Sequence, residues 1–303
     1  MQMQLTQSIK HDNRSRLLLK RRKEVDSTKM TESILIQHLD GTTYNLDDLD
    51  IRVIAFDPPS PAYKHTFTQI HQTKATQTAS QIQQTTIPLV VQVRAHDVYD
   101  YELMRERVLR VFPGYESFYV INMRIPMIRW KVSVDGFSYP RLNNFWFTQP
   151  ITINLMSEDG FAESVSMTSE DNFTKFDNKW GLGMNLPKDV DYSYKFTTNK
   201  FDVYNLGNIP LKAEERPVLY EFQGTVANGL TITNTTTGQT FKYNKGLKAS
   251  DKLQIYGMKP VLNNQLAFQD CNHAYLDLNV GKNTFTISGA SGFTFSVATR
   301  FYY

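Results

Sequence analysis

The last third of the chain, roughly residues 204–303, alternates apolar and polar residues in short runs separated by turn signals. Val218, Tyr220 and Phe222 form one run, and Leu253 and Ile255 form another. Successive side chains of a strand point to opposite faces, so this period of two predicts strands with one buried and one solvated face. Turn signals at a spacing of about 8–12 residues are typical of an antiparallel β-sandwich.

Two glycine-containing segments mark turns within this region. Residues 235–238 (Thr-Thr-Thr-Gly) predict a turn before Phe241. Residues 289–292 (Gly-Ala-Ser-Gly) predict a second turn, between the apolar runs at 285–287 and 293–297. Glycine tolerates the positive φ angles that many turns require. We therefore expect a separate short strand on each side of both turns.

The length of the chain and its remaining apolar patterns predict two folded domains. A chain of 303 residues exceeds the usual size of one domain. We assign residues 1–30 to a basic N-terminal extension, 31–162 to a first domain and 163–303 to the sandwich domain. Strands of the first domain are predicted at 33–39, 51–56, 87–93, 118–122, 128–134, 145–147 and 151–155.

One helix is predicted in the first domain, at about residues 98–112. Met104, Val108 and Val111 recur at helical spacing and form one apolar face. Asp97 precedes this pattern and Pro113 ends it, as expected for the two ends of a helix. The predicted fold class is therefore mainly β, with a β-sheet domain that contains one α-helix followed by an antiparallel β-sandwich.

The segment at 60–86 is rich in Thr and Gln and has few apolar residues. We interpret it as a long loop or an extended hairpin that is too polar to lie in a core. Long connections in compact domains are usually functional or mobile. One hypothesis is that this segment contacts a neighbouring subunit or a partner protein, and the alternative is a mobile surface loop.

The positive charge of the chain is concentrated at its beginning. Residues 1–30 contain eight Lys or Arg and three Asp or Glu, a surplus of five positive charges. The whole chain has a net charge of +3, so residues 31–303 have a net charge of −2. A sequence-specific nucleic-acid reader is expected to have a basic patch on its folded domain. The sequence predicts no such patch. One interpretation of the basic extension is that it binds phosphate or an acidic partner, and the alternative is a disordered or weakly helical extension.

Cysteine content and hydropathy bound the cellular context. The single cysteine, Cys271, excludes an internal disulfide and is typical of a protein that folds in a reducing cytosol. The sequence contains no run of about 18 apolar residues, so we expect no membrane-spanning helix. The apolar run at 17–19 is too short for the core of a signal peptide.

No motif in the sequence predicts an enzyme, a cofactor site or a metal site. Gly-x-Ser-x-Gly, phosphate-binding and His-Glu-x-x-His patterns are absent from the sequence. His65 and His71 share one polar segment, and Cys271 lies two residues before His273, but neither pair supplies the three or four ligands of a metal site. Acidic clusters that we interpret as solvated turns occur at Asp47, Asp48, Asp50, Glu158, Asp159, Glu214 and Glu215.

Several blocks of sequence, taken in order, resemble the distal tail protein of long-tailed, non-contractile bacteriophages. In the first domain they lie at 86–90, 100–112, 119–120, 130–132 and 135–136. In the second they lie at 203–208, 232–238, 275–278, 281–289 and 293–303. The resemblance covers residues 31–303, and residues 1–29 have no counterpart in it.

The resemblance implies both a fold and a role. It implies a ring-forming N-terminal β domain with one helix and a galectin-like C-terminal sandwich. Six copies would form a ring that joins the tail tube protein to the tip or baseplate proteins at the distal end of the virion. The segment at 60–86 would then contact a neighbouring subunit or the tail tube. The chain would fold and assemble in the cytoplasm of the host bacterium.

A galectin-like sandwich also implies an alternative function, recognition of a cell-wall carbohydrate or another receptor by the second domain. Sugars often stack on an exposed aromatic ring, and Trp180 is the candidate platform. Packing of the junction between the domains is the competing interpretation of Trp180. Trp130 and Trp146 lie in alternating strand patterns and are predicted to be core residues.

Overall fold

The computed structural model describes residues 33–142, 146–170, 180–181, 183–186, 190 and 192–303. The basic extension predicted at 1–30 lies outside the described residues. So does part of the strand predicted at 145–147.

The first sheet curls into an open barrel around one apolar core. Its strands are β1 (Ile34–His38), β2 (Thr43–Asn45), β3 (Ile51–Phe56), β6 (Thr85–Val93), β7 (Phe118–Asn122), β8 (Ile128–Val134), β9 (Ile151–Ser157) and β10 (Glu163–Ser164). The order along the sheet is β2-β1-β7-β8-β9-β6-β3, with β10 paired to β8. A single 3₁₀ turn, Asp47–Leu49, connects the two edge strands β2 and β3, so the edges of the sheet come together at this end.

One helix, α1 (Val98–Val111), packs on the barrel. Asp97 caps it by accepting a hydrogen bond from the Asp100 backbone N–H at 2.8 Å, and the Asp100 carboxylate accepts one from the His96 N–H. These reciprocal bonds satisfy donors that the first turn of a helix leaves unpaired. Met104, Val108 and Val111 are buried against the strands, as the sequence predicts.

The second sheet forms a sandwich whose two layers share strands. Its strands are β11 (Lys195–Phe196), β12 (Lys200–Asn205), β13 (Leu219–Asn234), β14 (Gln239–Tyr243), β15 (Lys252–Tyr256), β16 (Lys259–Leu262), β17 (Gln265–Leu266) and β18 (Gly281–Ala298). The first half of β13 pairs with β15 and the end of β18, whereas its second half pairs with β14 and the start of β18. Each of the two long strands therefore belongs to both layers.

The layers face each other through aromatic side chains. Phe285, in the start of β18, lies 5.9 Å from Tyr220 and 6.3 Å from Phe295, measured between ring centroids. Tyr220 and Phe295 belong to the other layer, and all three side chains are buried. Rings at these separations contribute both buried apolar area and favourable edge or offset contacts.

The prediction of a turn at residues 289–292 is wrong. Gly289 and Gly292 lie inside β18, where positive φ angles of 85° and 57° bend the strand without ending it. A β-carbon on Gly289 would collide with the backbone of Gly229 in β13, and one on Gly224 would collide with Phe293. Glycines on both strands thus permit the two backbones to bend together from one layer into the other. The turn predicted at 235–238 is confirmed, since the Gly238 N–H donates to the Asn234 carbonyl at 2.9 Å.

The predicted fold class is confirmed. The described chain is mainly β, with one α-helix in the N-terminal part and an antiparallel β-sandwich in the C-terminal part.

Candidate assembly surface

The segment at 60–86 forms a two-stranded hairpin that extends from the barrel. Strand β4 (Ala62–His71) pairs with β5 (Lys74–Gln83), and neither strand pairs with any other described strand. The hairpin, which we call the arm, continues the neighbouring strands β3 and β6 beyond the barrel wall. The extended-hairpin interpretation is confirmed, and that of a structureless loop is wrong.

The two faces of the arm differ in chemistry. Tyr63, His65 and Phe67 form a row on one face, with ring centroids 6.3 and 6.4 Å apart, and Ile82 pairs opposite Tyr63. The opposite face presents mainly Lys64 and threonines; the Thr68 hydroxyl, for example, donates to Thr78 at 3.4 Å. We call the first of these the aromatic face of the arm.

The aromatic face is exposed to solvent. Phe67 is 61% exposed and Tyr63 is 48% exposed. An isolated two-stranded hairpin is at best marginally stable. Covering its exposed apolar side chains with another surface would lower their free energy. The arm also contains Lys64 and Lys74 and no acidic residue within 60–86. Its chemistry therefore suits contact with another surface.

The base of the arm borders the sandwich. Tyr63 and Ile82 line one side of an open cleft, and Ile209, Pro210 and Lys212 line the other. Thr85 fixes the arm at this point by accepting a hydrogen bond from the Ala62 N–H at 3.3 Å.

A charged cluster lies where the barrel meets the sandwich, since Arg129 and Glu163 belong to β8 and β10 of the first sheet and Arg300 follows β18. Glu163 accepts bonds from both Nε and Nη2 of Arg129, at 2.8 and 2.7 Å, and Nε of Arg300 lies 3.9 Å away. Arg129 also lies over the ring of Tyr119, 3.6 Å from its centroid. Both Arg129 nitrogens contact the same oxygen, Oε1 of Glu163, and the partial burial of the pair strengthens these charged hydrogen bonds. Sequence reasoning missed this cluster because its three members are far apart in the chain.

The last residues of the chain complete this junction. Ala162 and Tyr303 exchange backbone hydrogen bonds at 2.8 and 3.1 Å, and the Ser164 N–H donates to the Phe301 carbonyl at 2.8 Å. Arg300 donates through Nη1 to the carbonyls of Ser164 and Val165. Burial raises the pKa of the Tyr303 phenol well above its ordinary value. The domain bounds at 162 and 163 remain a prediction.

Trp180 does not form a sugar platform. It is 1% exposed and packs against Phe301 with ring centroids 5.8 Å apart. A buried indole cannot stack on a soluble sugar, so the prediction of Trp180 as a platform is wrong and its interpretation as a packing residue holds. Trp130 and Trp146 are half-buried and pack against the barrel core.

The other candidate chemical groups do not converge. The Cys271 thiol donates to the Ala267 carbonyl at 3.2 Å, and burial raises the pKa of this thiol to about 11. His273 lies against the ring of Phe268, and His65 bonds to Gln77. The seven predicted turn carboxylates are all exposed. Within the described residues, no three His, Cys, Asp or Glu side chains are arranged to hold a metal ion.

One buried polar network stabilises an end of the sandwich. Asn205, Asn234 and Asn283 have almost no exposed surface. Asn234 donates to the Asn283 side chain at 3.3 Å and to the Asp277 carbonyl at 2.8 Å, and Asn205 donates to the Ile209 carbonyl at 2.9 Å. Buried amides are stable only when bonded, so these residues fix the connecting loops. These three asparagines lie in three of the sequence blocks that resemble distal tail proteins, so these blocks contain residues that stabilise the fold.

Comparison with known proteins finds one family model that is similar to part of this chain. The family model described as "Phage tail protein RIFT-related domain" matches residues 39–157. This segment includes most of the barrel, the helix and the arm, and these elements are therefore similar to that family of domains. No curated protein matches the chain. None of the helices in the described part of the chain is long and apolar enough to cross a membrane.

Solved structures extend the similarity to the sandwich. The crystal structure of the SPP1 Dit protein matches with a TM-score of 0.60 and 11% identity, over 88% of this chain and 99% of that one. That protein is described as a paradigm of the hub adsorption apparatus in phages that infect Gram-positive hosts. A chain of the activated phage p2 baseplate matches with a TM-score of 0.42 and 8% identity, over 88% of this chain and 97% of that one. The domain match and the shared Dit fold confirm the resemblance to distal tail proteins.

Proposed function

We propose that this protein is a structural hub subunit of a phage tail, six copies of which form a ring between the tail tube and the tip or baseplate apparatus. The observation that supports this most strongly is the fold shared with the SPP1 Dit hub protein over 88% of the chain. The similarity of residues 39–157 to the phage tail domain family supports it independently. The proposed location is the distal end of the tail in the virion, after assembly in the host cytoplasm.

Physical constraints on a ring suggest a role for the arm. A cyclic ring uses two different patches on each subunit, and one patch must reach the next copy. The arm projects from the barrel with an exposed aromatic face and unpaired outer backbone edges. Apolar burial and strand pairing are the two contacts that it can offer to a neighbour or to the tube.

Deletion of residues 62–84 tests this proposal. We expect the deleted chain to stay folded, because the arm contributes none of the buried residues of either core. The full chain should form particles of six times 35.0 kDa in light scattering, and the deleted chain should be monomeric. Rings of normal size after the deletion would reject the role of the arm.

Point variants on the two faces supply a matched control. The double variant Tyr63→Ser/Phe67→Ser removes the aromatic face and should prevent ring formation. The double variant Thr66→Ala/Thr68→Ala alters the opposite face of the same strand and should assemble normally. Equal loss of assembly in both variants would contradict a docking role for the aromatic face.

Electron microscopy of assembled tails tests the hub role itself. A label on this subunit should appear at the junction of the tube and the tip. A label at the ends of tail fibres would instead support the alternative function, a carbohydrate- or receptor-binding module. A monomeric or trimeric mass in solution would also favour that alternative.

A further inference from the structure

A polar groove lies on the outer face of the sandwich, on the layer that contains β11, the end of β18 and the start of β13. Its floor includes Lys195, Ser296, Glu221 and Thr294, and its walls include Thr168 and Tyr192. The aromatic side chains of these strands point to the opposite face, into the core. This groove is separate from the arm and from the junction cluster.

The strand register aligns the polar side chains of the floor in a row. Lys195 pairs with Ser296, Ser296 with Glu221, and Glu221 with Gln254. Neighbouring strands lie about 4.8 Å apart, so the row presents a polar group at each such step across four strands. A second row on the same face, two residues further along each strand, contains Thr294, Gln223 and Lys252.

Several groups of the floor have unused hydrogen-bonding capacity. The Lys195 ammonium and the Ser296 and Thr294 hydroxyls have no partner within the described part of the chain. Glu221 is held in place, because one of its oxygens accepts bonds from Lys252 at 2.8 Å and from Gln254 at 3.0 Å. Its second oxygen is left as an oriented acceptor.

The walls of the groove are fixed by hydrogen bonds to its floor. The Thr168 hydroxyl donates to the Val297 carbonyl at 2.7 Å and accepts from the Thr299 N–H at 3.0 Å. The Val297 N–H donates to the Tyr194 carbonyl at 2.8 Å, and the Tyr194 phenol donates to the Tyr204 carbonyl at 2.7 Å. A groove fixed in this way needs little reordering when a ligand binds.

We propose that this groove binds a polyhydroxylated chain, specifically a neutral glycan. Each sugar hydroxyl both donates and accepts a hydrogen bond, and the row offers an ammonium donor, a carboxylate acceptor and hydroxyls that do both. The glycan would lie along the row and bond to successive strands. Trp180 plays no part in this site, since it is buried elsewhere.

The charges and polarity of the groove disfavour two other ligand classes. Lys252 is neutralised by Glu221, so Lys195 is the one unpaired cation of the two rows, which is a weak basis for binding a polyanion. No large apolar side chain of the floor is exposed, so an apolar peptide would gain little by burial.

Titration calorimetry with the full chain tests the proposal, with cellohexaose, chitohexaose and poly(glycerol phosphate) as probes. The wild-type chain should bind at least one of the two neutral hexasaccharides. The variant Lys195→Ala/Ser296→Ala should bind it at least about tenfold more weakly, as expected from the loss of two hydrogen bonds. The proposal is overturned if neither hexasaccharide binds or if only poly(glycerol phosphate) binds.

A matched pair on the same strand β18 provides the control. Lys200 pairs with Thr286 in the other layer, as Lys195 pairs with Ser296 in the groove layer. The variant Lys200→Ala/Thr286→Ala should bind the hexasaccharide as the wild type does. Equal weakening in both variants would place binding elsewhere and reject the groove. Glycan binding by this groove rests on the carbohydrate-binding alternative to the proposed hub function. Ring assembly does not enter the test, so failure of the test would leave the proposed hub function unaffected.

Discussion

The arm and the pair formed by β13 and β18 are both long antiparallel ribbons, yet their side chains have opposite surroundings. In β13 and β18, every second residue is buried over most of the length. In β5 of the arm, all ten residues are exposed. The first ribbon is bent by glycines so that it closes over its own apolar face, whereas the second has no layer opposite it.

This difference separates residues that stabilise the fold from residues that are available for contact. Substitutions in the bent ribbon should lower the free energy of unfolding and leave any contact surface unchanged. Substitutions in the arm should do the reverse. The stability of variants in the two ribbons, and at the sandwich edge beside β18, tests this difference.

The largest effect is expected for Phe285→Ala in β18. This side chain is fully buried between the layers, so its loss removes apolar contacts and leaves a cavity. We expect the free energy of unfolding to fall by about 3–5 kcal/mol. Urea titration followed by circular dichroism measures this value. A loss below 1 kcal/mol would contradict the packing of the two layers on Phe285.

Gly289→Ala should have a somewhat smaller effect. Its positive φ is unfavourable for alanine, and its β-carbon would meet the Gly229 backbone, so we expect a loss of about 3 kcal/mol. Gly281→Ala is the matched control in the same strand, since it has a similar φ of 80° and no atom within 4 Å of the added carbon. It should cost about 1 kcal/mol. Equal losses for the two variants would show that the bend does not depend on close approach of the strands.

A pH-dependent effect is expected at the edge of the sandwich. The Lys282 ammonium bonds to Asp202 at 2.8 Å and holds the pKa of that carboxyl below its ordinary value of 3.8. A lowered carboxyl pKa stabilises the folded state above pH 4, and this stabilisation is lost as the pH falls below that value.

Asp202→Asn should therefore lower the free energy of unfolding at pH 7 by less than about 1 kcal/mol, because the pair is partly exposed. The difference between the variant and the wild type should shrink towards pH 3. Thermal unfolding at both pH values measures it, and a difference that grows on acidification would contradict the sign.

The smallest effect on stability is expected for Phe67→Ala in the arm. Surface substitutions of this kind usually change the free energy of unfolding by less than about 0.5 kcal/mol. The same urea titration as for Phe285→Ala measures it. A loss above 1 kcal/mol would show that the arm packs on its own molecule in solution.

Local patterns were sufficient to predict most strands, the helix and the fold class. The predicted strands at 51–56, 118–122 and 128–134 coincide with β3, β7 and β8. The burial of the asparagines could also have been predicted from the same alternation. Asn234 follows Leu230 and Ile232 in the inward phase, so period two places it inside, where an amide must find bonding partners.

Other features depend on contacts that no local pattern contains. The local sequence at Gly289 and Gly292 is typical of a turn. The strand bends there instead, because Gly229 and Gly224 of another strand lie close to it. Trp180 is buried by Phe301, more than a hundred positions away in the sequence. The junction of Arg129, Glu163 and Arg300 has the same character, since long-range ion pairs leave no periodic signal.

The continuity of β13 and β18 across both layers has a mechanical consequence. Two sheets held only by side-chain packing can slide or peel apart when pulled. Here, two covalent backbones cross between the sheets, so separating the layers would require many backbone hydrogen bonds along both strands to rupture together. A sandwich built in this way can transmit a pulling force with little internal deformation.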